Sequence, residues 1–176
     1  MPHDTFDDLV TSCVAGADLD VDAHTDVVRA ARQAGRAGEQ LVGGLMVVGV
    51  LERVAFDHDR GVVRLPVADI ERFAPDLASA SRPAPGAVSR LVRFEVERVH
   101  GMLDAAYTVV GPLPLDQRLR VSWEVGHARA RLHALSRQPD PFAPHRARPW
   151  RVSRLLAAFR TLRRAHHRRS APVVGR

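Results

Sequence analysis

The sequence of 176 residues contains a single cysteine, Cys13, and few aromatic residues. One cysteine excludes an internal disulfide and a cysteine-based zinc site, which suits a reducing cytoplasm. Aromatic residues make up 5% of the chain and the apolar residues are mainly Val, Leu and Ala, which favours packed helices over a β-sheet. The longest apolar run, 41–51, is too short to span a bilayer, and no signal peptide is visible. We therefore expect a cytoplasmic, all-α helical bundle.

Lysine is absent, and all 26 basic residues are arginine. From Pro144 onward there are ten arginines and no acidic residue, whereas the residues before it carry sixteen arginines against twenty acidic residues. We therefore divide the chain into a helical domain at 1–143 and an Arg-rich C-terminal helix and tail at 144–176. The last helix is predicted over 150–164, and its apolar face consists of Val152, Leu155, Phe159 and Leu162.

The periodicity of apolar residues predicts the other helices. They span residues 5–15, 22–56, 67–73, 86–110 and 115–135. The longest is expected to bend near the glycines at 35–44, because glycine weakens a helix. In the helix over 86–110, the charged residues Glu95 and Arg98 are expected on the surface, outside the apolar face.

The stretch from Gly38 to Phe73 organises the chain. Its apolar helix belongs in the core and ends at a corner where Asp57, His58 and Asp59 follow one another. Gly61 is expected to end this run as a C-cap glycine. The corner is the candidate chemical site, although a solvated helix end is the simpler interpretation of its two aspartates.

Three segments resemble motifs of the squalene/phytoene synthase family. GVVRLPVADIERF, beginning at Gly61, is similar to the family's GRxYLP followed by xxDLxRF, and LVRFEVERVHGMLDAA, beginning at Leu91, is similar to LVRFExxRAxxxYxxA. FDDLVTSCVAGADL, beginning at Phe6, is similar to xxELxxYCxxVAGxVG. The resemblance covers about 6–162 and the later part of a family enzyme. It implies the terpenoid synthase fold and Mg²⁺-dependent, head-to-head joining of two prenyl diphosphates.

The family's second metal motif places Asn, Asp and Asp at four-residue intervals, which fall here on Gly49, Arg53 and Asp57. The resemblance therefore implies Asp57 as a metal-ligand candidate, with Asp59 as a nearby substitute. Arg53 reverses the charge of the family's aspartate, and a guanidinium can pair directly with a diphosphate. Arg64, at the family's Tyr position, is the second candidate for diphosphate binding. No catalytic residue is assigned.

These departures, and the lack of a counterpart to the family's first DxxxD motif, predict a truncated, degenerate homologue that is inactive on its own. In one alternative, a protein partner supplies the missing helices, which requires an exposed apolar face on the helix over 41–51. In another, the chain is a non-catalytic binding module whose tail contacts an anionic membrane. Nucleic acid is the less favoured partner, because no nucleic-acid-binding motif accompanies the arginines.

Overall fold

The computed structural model describes residues 3–17, 25–79 and 83–142. Within these residues the chain forms α-helices and one 3₁₀ helix and contains no β-strand, which confirms the all-α class. The helices are α1 (Phe6–Ala17), α2 (Thr25–Arg32), α3 (Arg36–Glu52), α4 (Val54–His58), α5 (Val67–Phe73), the 3₁₀ helix (Pro75–Ala78), α6 (Pro85–Leu103), α7 (Ala106–Val110) and α8 (Leu115–Ser136). The helix predicted over 150–164, and with it the proposed membrane contact, lies outside the described residues.

Helix α3 forms the centre of the bundle. It packs against α1, α2, α6, α7 and α8, and its apolar residues Leu41, Leu45, Val48 and Leu51 are all buried. Removing apolar surface from water contributes roughly 25 cal/mol per Å², so this helix supplies much of the stabilisation of the core. The exposed face that the partner hypothesis requires is therefore covered by the chain's own helices.

The prediction of one long helix over 22–56 is wrong, because the chain forms α2, α3 and α4 there. Gly35 separates α2 from α3 with a φ of 54°, a left-handed conformation that glycine adopts without steric cost. Gly38 then lets the two helices cross closely, since a Cβ on it would lie 1.9 Å from the carbonyl oxygen of Ala31. At the other end, Arg53 ends α3 with φ −98° and ψ 2°.

The prediction of one helix over 86–110 is also wrong, because α6 ends at Leu103 and α7 begins at Ala106. Between them, the N–H of Ala105 donates to the carbonyl of Met102 at 3.0 Å, three residues back. The backbone therefore tightens locally instead of keeping the α-helical pattern. The predictions for α1, α5 and α8 are confirmed.

The N-terminus is fixed at two points. Thr5 and Asp8 form a capping box at the start of α1: the N–H of Asp8 donates to Thr5 Oγ1 at 3.2 Å, and the N–H of Thr5 donates to Asp8 Oδ2 at 3.0 Å. Just before it, the carbonyl of His3 accepts a hydrogen bond from the N–H of Val67 at 2.9 Å. The beginning of the chain therefore lies against the start of α5.

The segment after α8 returns across α6 toward α4. The hydroxyl of Ser89 donates to the carbonyl of Pro139 at 2.7 Å. Phe142, the last described residue, then packs edge-on against the ring of His58, with 5.2 Å between the ring centroids. The described chain therefore ends beside the corner that the sequence singles out.

Candidate functional site: an arginine-lined corner

The corner forms where α4 ends and the chain reverses at Gly61. Gly61 has a φ of 67°, and the N–H of Val62 donates to the carbonyl of Asp57 at 2.8 Å while the N–H of Gly61 donates to that of His58 at 2.9 Å. These two bonds make a Schellman motif with Gly61 in its left-handed position, which confirms the predicted C-cap. The reversal brings Arg64 back onto Asp57.

Asp57 faces the interior and is 4% exposed. Its Oδ2 lies 3.0 Å from Nε of Arg64, and the contact is an ion pair that lacks hydrogen-bond geometry. The side chain of Arg64 is 49% exposed, so its guanidinium neutralises the carboxylate and still reaches solvent. Burial raises the pKa of the Cys13 thiol on α1, and the charge of Arg64 opposes that rise.

The other two members of the acidic corner lie in different environments. The side chain of Asp59 is 76% exposed, whereas both ring nitrogens of His58 are buried without a hydrogen-bond partner. Within the described ranges, no three His, Cys, Asp or Glu residues come together in a way that could hold a metal. Mg²⁺ needs several oxygen ligands, and at Asp57 the positive charge already comes from Arg64. The corner therefore does not fit Mg²⁺, and ligation by Asp57 or Asp59 stays a prediction.

Two further arginines lie within four residues of the corner along the chain, and both are exposed. Arg53 lies one turn before Asp57, where α3 passes into α4. Its guanidinium lies 5.6 Å from the ring centroid of Phe56, and that of Arg60 lies 4.2 Å from the same centroid. Cation–π contacts at exposed sites contribute about 0.5–1 kcal/mol each. Phe56 thus contacts two exposed guanidiniums.

The space behind the corner is small. A cavity of about 10 Å³ lies beneath it, lined by Val50, Val54, Asp57, His58, Val62, Val63, Arg64, Leu65 and Leu77. That volume holds about one water molecule. A groove of about 270 Å³ lies among α1, α2 and α3, but Gly35 and Glu39 line it, at the opposite end of α3. Neither space provides room for a prenyl chain beside the corner.

A second charged cluster lies between α5 and α6, and it was not predicted from the sequence. Nη1 of Arg98 lies 2.7 Å from Oδ2 of Asp69 and 3.6 Å from Oε2 of Glu95. Glu95 is 0% exposed, and both of its carboxyl oxygens lack a hydrogen-bond partner. The prediction that Glu95 faces solvent is therefore wrong. It lies four residues after the buried Leu91, so its position falls on the apolar face of α6.

One guanidinium faces two carboxyl groups in this cluster, and a proton balances the charge. Burial, followed by the neighbouring Asp69 carboxylate, raises the pKa of Glu95 to about 8, although the charge of Arg98 opposes the rise. Phe6 and Phe94 cover the guanidinium of Arg98, with their ring centroids 4.7 and 4.6 Å away. The cluster therefore joins α1, α5 and α6.

The described part of the chain is thus an all-helical bundle with an arginine-lined corner, and none of its helices is long and apolar enough to cross a membrane. The family model of squalene/phytoene synthase matches residues 4–156. The chain therefore belongs to the squalene/phytoene synthase family, whose members act on prenyl diphosphates in isoprenoid biosynthesis. Neither a curated protein nor a solved structure matches the chain.

Proposed function

We propose that this chain binds the diphosphate group of a prenyl diphosphate through Arg53 and Arg64 and does not catalyse head-to-head condensation on its own. The observation that carries this proposal is the ion pair between the buried carboxylate of Asp57 and the half-exposed Arg64. In this pair a guanidinium contacts the residue that the family resemblance implies as a metal ligand.

The chemistry of the corner favours direct recognition of phosphate. A guanidinium is planar, stays charged at all physiological pH values and donates parallel hydrogen bonds to phosphate oxygens. Arg53 and Arg64 both lie at the surface, so a diphosphate reaches them without entering the core. Binding of this kind requires no metal ion.

Two neighbours keep these guanidiniums in place. Asp57 contacts Nε of Arg64, which orients the side chain before a ligand arrives. Phe56 packs against the guanidinium of Arg53. Fixing long side chains in advance lowers the entropy that binding must remove, so both contacts favour affinity.

The size of the cavity supports binding of the head group alone. The space beneath Asp57 has a volume of about 10 Å³, whereas a condensing enzyme must enclose two prenyl chains and exclude water from the reacting carbons. We infer that the prenyl chain does not occupy the space beneath Asp57. The chain is then a degenerate member of its family that retains affinity for the substrate class.

Calorimetric titration with geranylgeranyl thiodiphosphate in EDTA tests the binding residues. Arg53→Ala and Arg64→Ala are each expected to weaken binding by about tenfold, since a hydrogen bond to a charged group contributes about 1.5–3 kcal/mol. Arg36→Ala is the matched control. Arg36 is exposed at the start of α3, and Arg53 lies at the end of the same helix. The rise of the helix separates the two residues by about 25 Å. Equal affinity in all three variants would contradict the assignment.

A product assay tests the lack of condensation. The full chain is incubated with radiolabelled farnesyl or geranylgeranyl diphosphate and Mg²⁺, and the lipid extract is separated by chromatography. We expect no head-to-head hydrocarbon or cyclopropyl intermediate above the level of a protein-free control. Formation of either product by the purified chain would overturn this part of the proposal.

A further inference from the structure

The segment that carries Arg64 leads directly into α5. Arg64 stands two residues before Pro66, the N-cap of this helix. Between them, Leu65 is 2% exposed. The N–H groups of Asp69 and Ile70 both donate to the carbonyl of Pro66, at 3.1 and 3.0 Å. Residues 65–70 are therefore packed as one unit, so a displacement of α5 displaces Arg64 as well.

Helix α5 depends on α6 for its position. It has seven residues, and a helix this short is not stable in water without packing against another element. An ion pair and a ring contact attach it to α6. Nη1 of Arg98 donates to Oδ2 of Asp69 at 2.7 Å, and the ring centroids of Phe73 and Phe94 lie 4.8 Å apart. A change at Arg98 therefore reaches α5 through Asp69.

Glu95 competes with Asp69 for the same guanidinium. Its Oε2 lies 3.6 Å from Nη1 of Arg98, and its side chain is fully buried. Helices α3, α5 and α8 pack against α6. Among the described residues, the charged groups that act on Glu95 are Asp69 of α5 and Arg98 of its own helix. Because a buried charge needs a partner, an ionised Glu95 would draw Arg98 away from Asp69 or repel the Asp69 carboxylate.

We propose that the cluster of Asp69, Glu95 and Arg98 positions the corner for diphosphate binding. With a proton on Glu95, Arg98 holds Asp69 and with it α5. Loss of that proton loosens α5, displaces Arg64 and weakens binding. This inference rests on the proposed function, because it concerns the affinity of the same arginine.

The proton is present at neutral pH and is lost in mildly alkaline solution. Burial, followed by the neighbouring Asp69 carboxylate, raises the pKa of Glu95 to about 8. The attachment of α5 that depends on this proton is therefore lost as pH rises through that value. Affinity for a diphosphate is expected to fall over the same range.

Calorimetric titration with geranylgeranyl thiodiphosphate in EDTA, at about pH 6.5 and about pH 9, tests this dependence. The wild type is compared with Glu95→Gln, whose side chain cannot ionise. Relative to Glu95→Gln, the wild type is expected to lose about fivefold in affinity between the two pH values, a typical coupling between two sites. Titrating both proteins in the same buffers removes the ionisation of the ligand from the comparison. Circular dichroism checks that both are folded.

Asp69→Asn tests the same attachment at neutral pH. It removes the carboxylate that joins α5 to Arg98, so it is expected to weaken diphosphate binding by about fivefold. Asp104→Asn is the matched control, because Asp104 pairs with Arg129 at the same distance of 2.7 Å but lies at the C-cap of α6. It is expected to keep the wild-type affinity. Equal affinities in the two variants would overturn the inference.

Hydrogen exchange of the ligand-free chain shows whether α5 moves. At about pH 9, where Glu95 is ionised, the amides of 62–70 are expected to exchange faster in the wild type than in Glu95→Gln, and those of α8 equally fast. Equal exchange over 62–70, or an equal acceleration in α8, would contradict this inference alone, as would titrations with the same pH dependence in both proteins. Absence of binding by every protein at both pH values would contradict the proposed function, and with it the role of the cluster.

Discussion

Arginine side chains contact buried carboxyl groups in two regions of this protein, and the two regions differ in how many carboxyl groups face each arginine. At the corner, Arg64 faces one carboxylate, that of Asp57, and keeps half of its side chain in solvent. Between α5 and α6, Arg98 faces both Asp69 and Glu95. The first arrangement leaves a cation available to a ligand, whereas the second uses its cation internally and still needs a proton on Glu95. We propose that the number of carboxyl groups around each arginine decides which region can bind an anion.

The largest expected effect comes from removing the arginine that faces two carboxyl groups. Arg98→Met leaves Asp69 and Glu95 buried beside each other, and breaking a buried ion pair costs about 3–5 kcal/mol. We expect a value near the lower end, since the side chain of Arg98 is 37% exposed. Urea unfolding at pH 7 followed by circular dichroism measures it.

Arg64→Met is the matched variant at the corner. It leaves a single buried carboxylate, that of Asp57, and removes a more exposed arginine. We expect it to reduce the free energy of unfolding by less than half as much as Arg98→Met. An equal or larger loss would contradict the contrast between the two regions.

The proton on Glu95 makes stability depend on pH. Its pKa is raised from 4.5 to about 8 in the folded protein, so the folded state binds this proton more tightly than the unfolded state does. The stability that follows is fully present below the unfolded value of 4.5, decreases as pH rises and is lost above the folded value of about 8. Glu95→Gln keeps a neutral side chain of nearly the same shape as the protonated glutamate and removes the group that titrates.

We therefore expect the stability of the wild type to fall relative to Glu95→Gln by a few kcal/mol between these two pH values, with a limiting slope of about 1.4 kcal/mol per pH unit. Urea unfolding of both proteins at a series of pH values gives the difference. Parallel curves for the two proteins would mean that Glu95 is ionised in the folded state or accessible to water.

The smallest effects are expected at the aromatic rings that hold the arginines. Phe6→Leu removes one ring from Arg98 and is expected to lower the free energy of unfolding by about 1 kcal/mol. Phe56→Leu is expected to leave stability almost unchanged, because Phe56 is 46% exposed. It is expected to weaken diphosphate binding by about twofold to threefold, as Arg53 loses its contact. Unfolding experiments measure stability and titration measures diphosphate binding. A loss of stability in Phe56→Leu without weaker diphosphate binding would contradict the separate roles of the two rings.

The sequence predicts the apolar faces of the helices well, because burial follows the helical period. It predicts a bend near the glycines at 35–44, but it does not show that Gly35 adopts left-handed backbone angles and separates two helices. The break at Arg53 is not predicted, because no glycine or proline marks it. Gly61 is different, because it follows the acidic corner and precedes a new helix. Its C-cap was predicted correctly, and the return of the chain there brings Arg64 to Asp57.

The cluster of Asp69, Glu95 and Arg98 shows a second limit of prediction from the sequence. Asp69 and Arg98 were both recognised within motifs that resemble the family, but their contact joins two helices and follows only from tertiary packing. The position of Glu95 was within reach of sequence reasoning, since it lies four residues after Leu91 on the apolar face. The prediction placed Glu95 on the surface because it is charged, although its spacing indicated the apolar face. A carboxyl group on an apolar stripe indicates a buried partner.

The most direct test of the account is a calorimetric titration of the full chain with geranylgeranyl thiodiphosphate, performed in EDTA and again with Mg²⁺, for the wild type and for Asp57→Asn. We predict the same affinity in both buffers, because guanidiniums supply the positive charge, and retention of most of that affinity in Asp57→Asn. Binding that occurs only with Mg²⁺ and disappears in Asp57→Asn would contradict the account and identify the corner as a metal site.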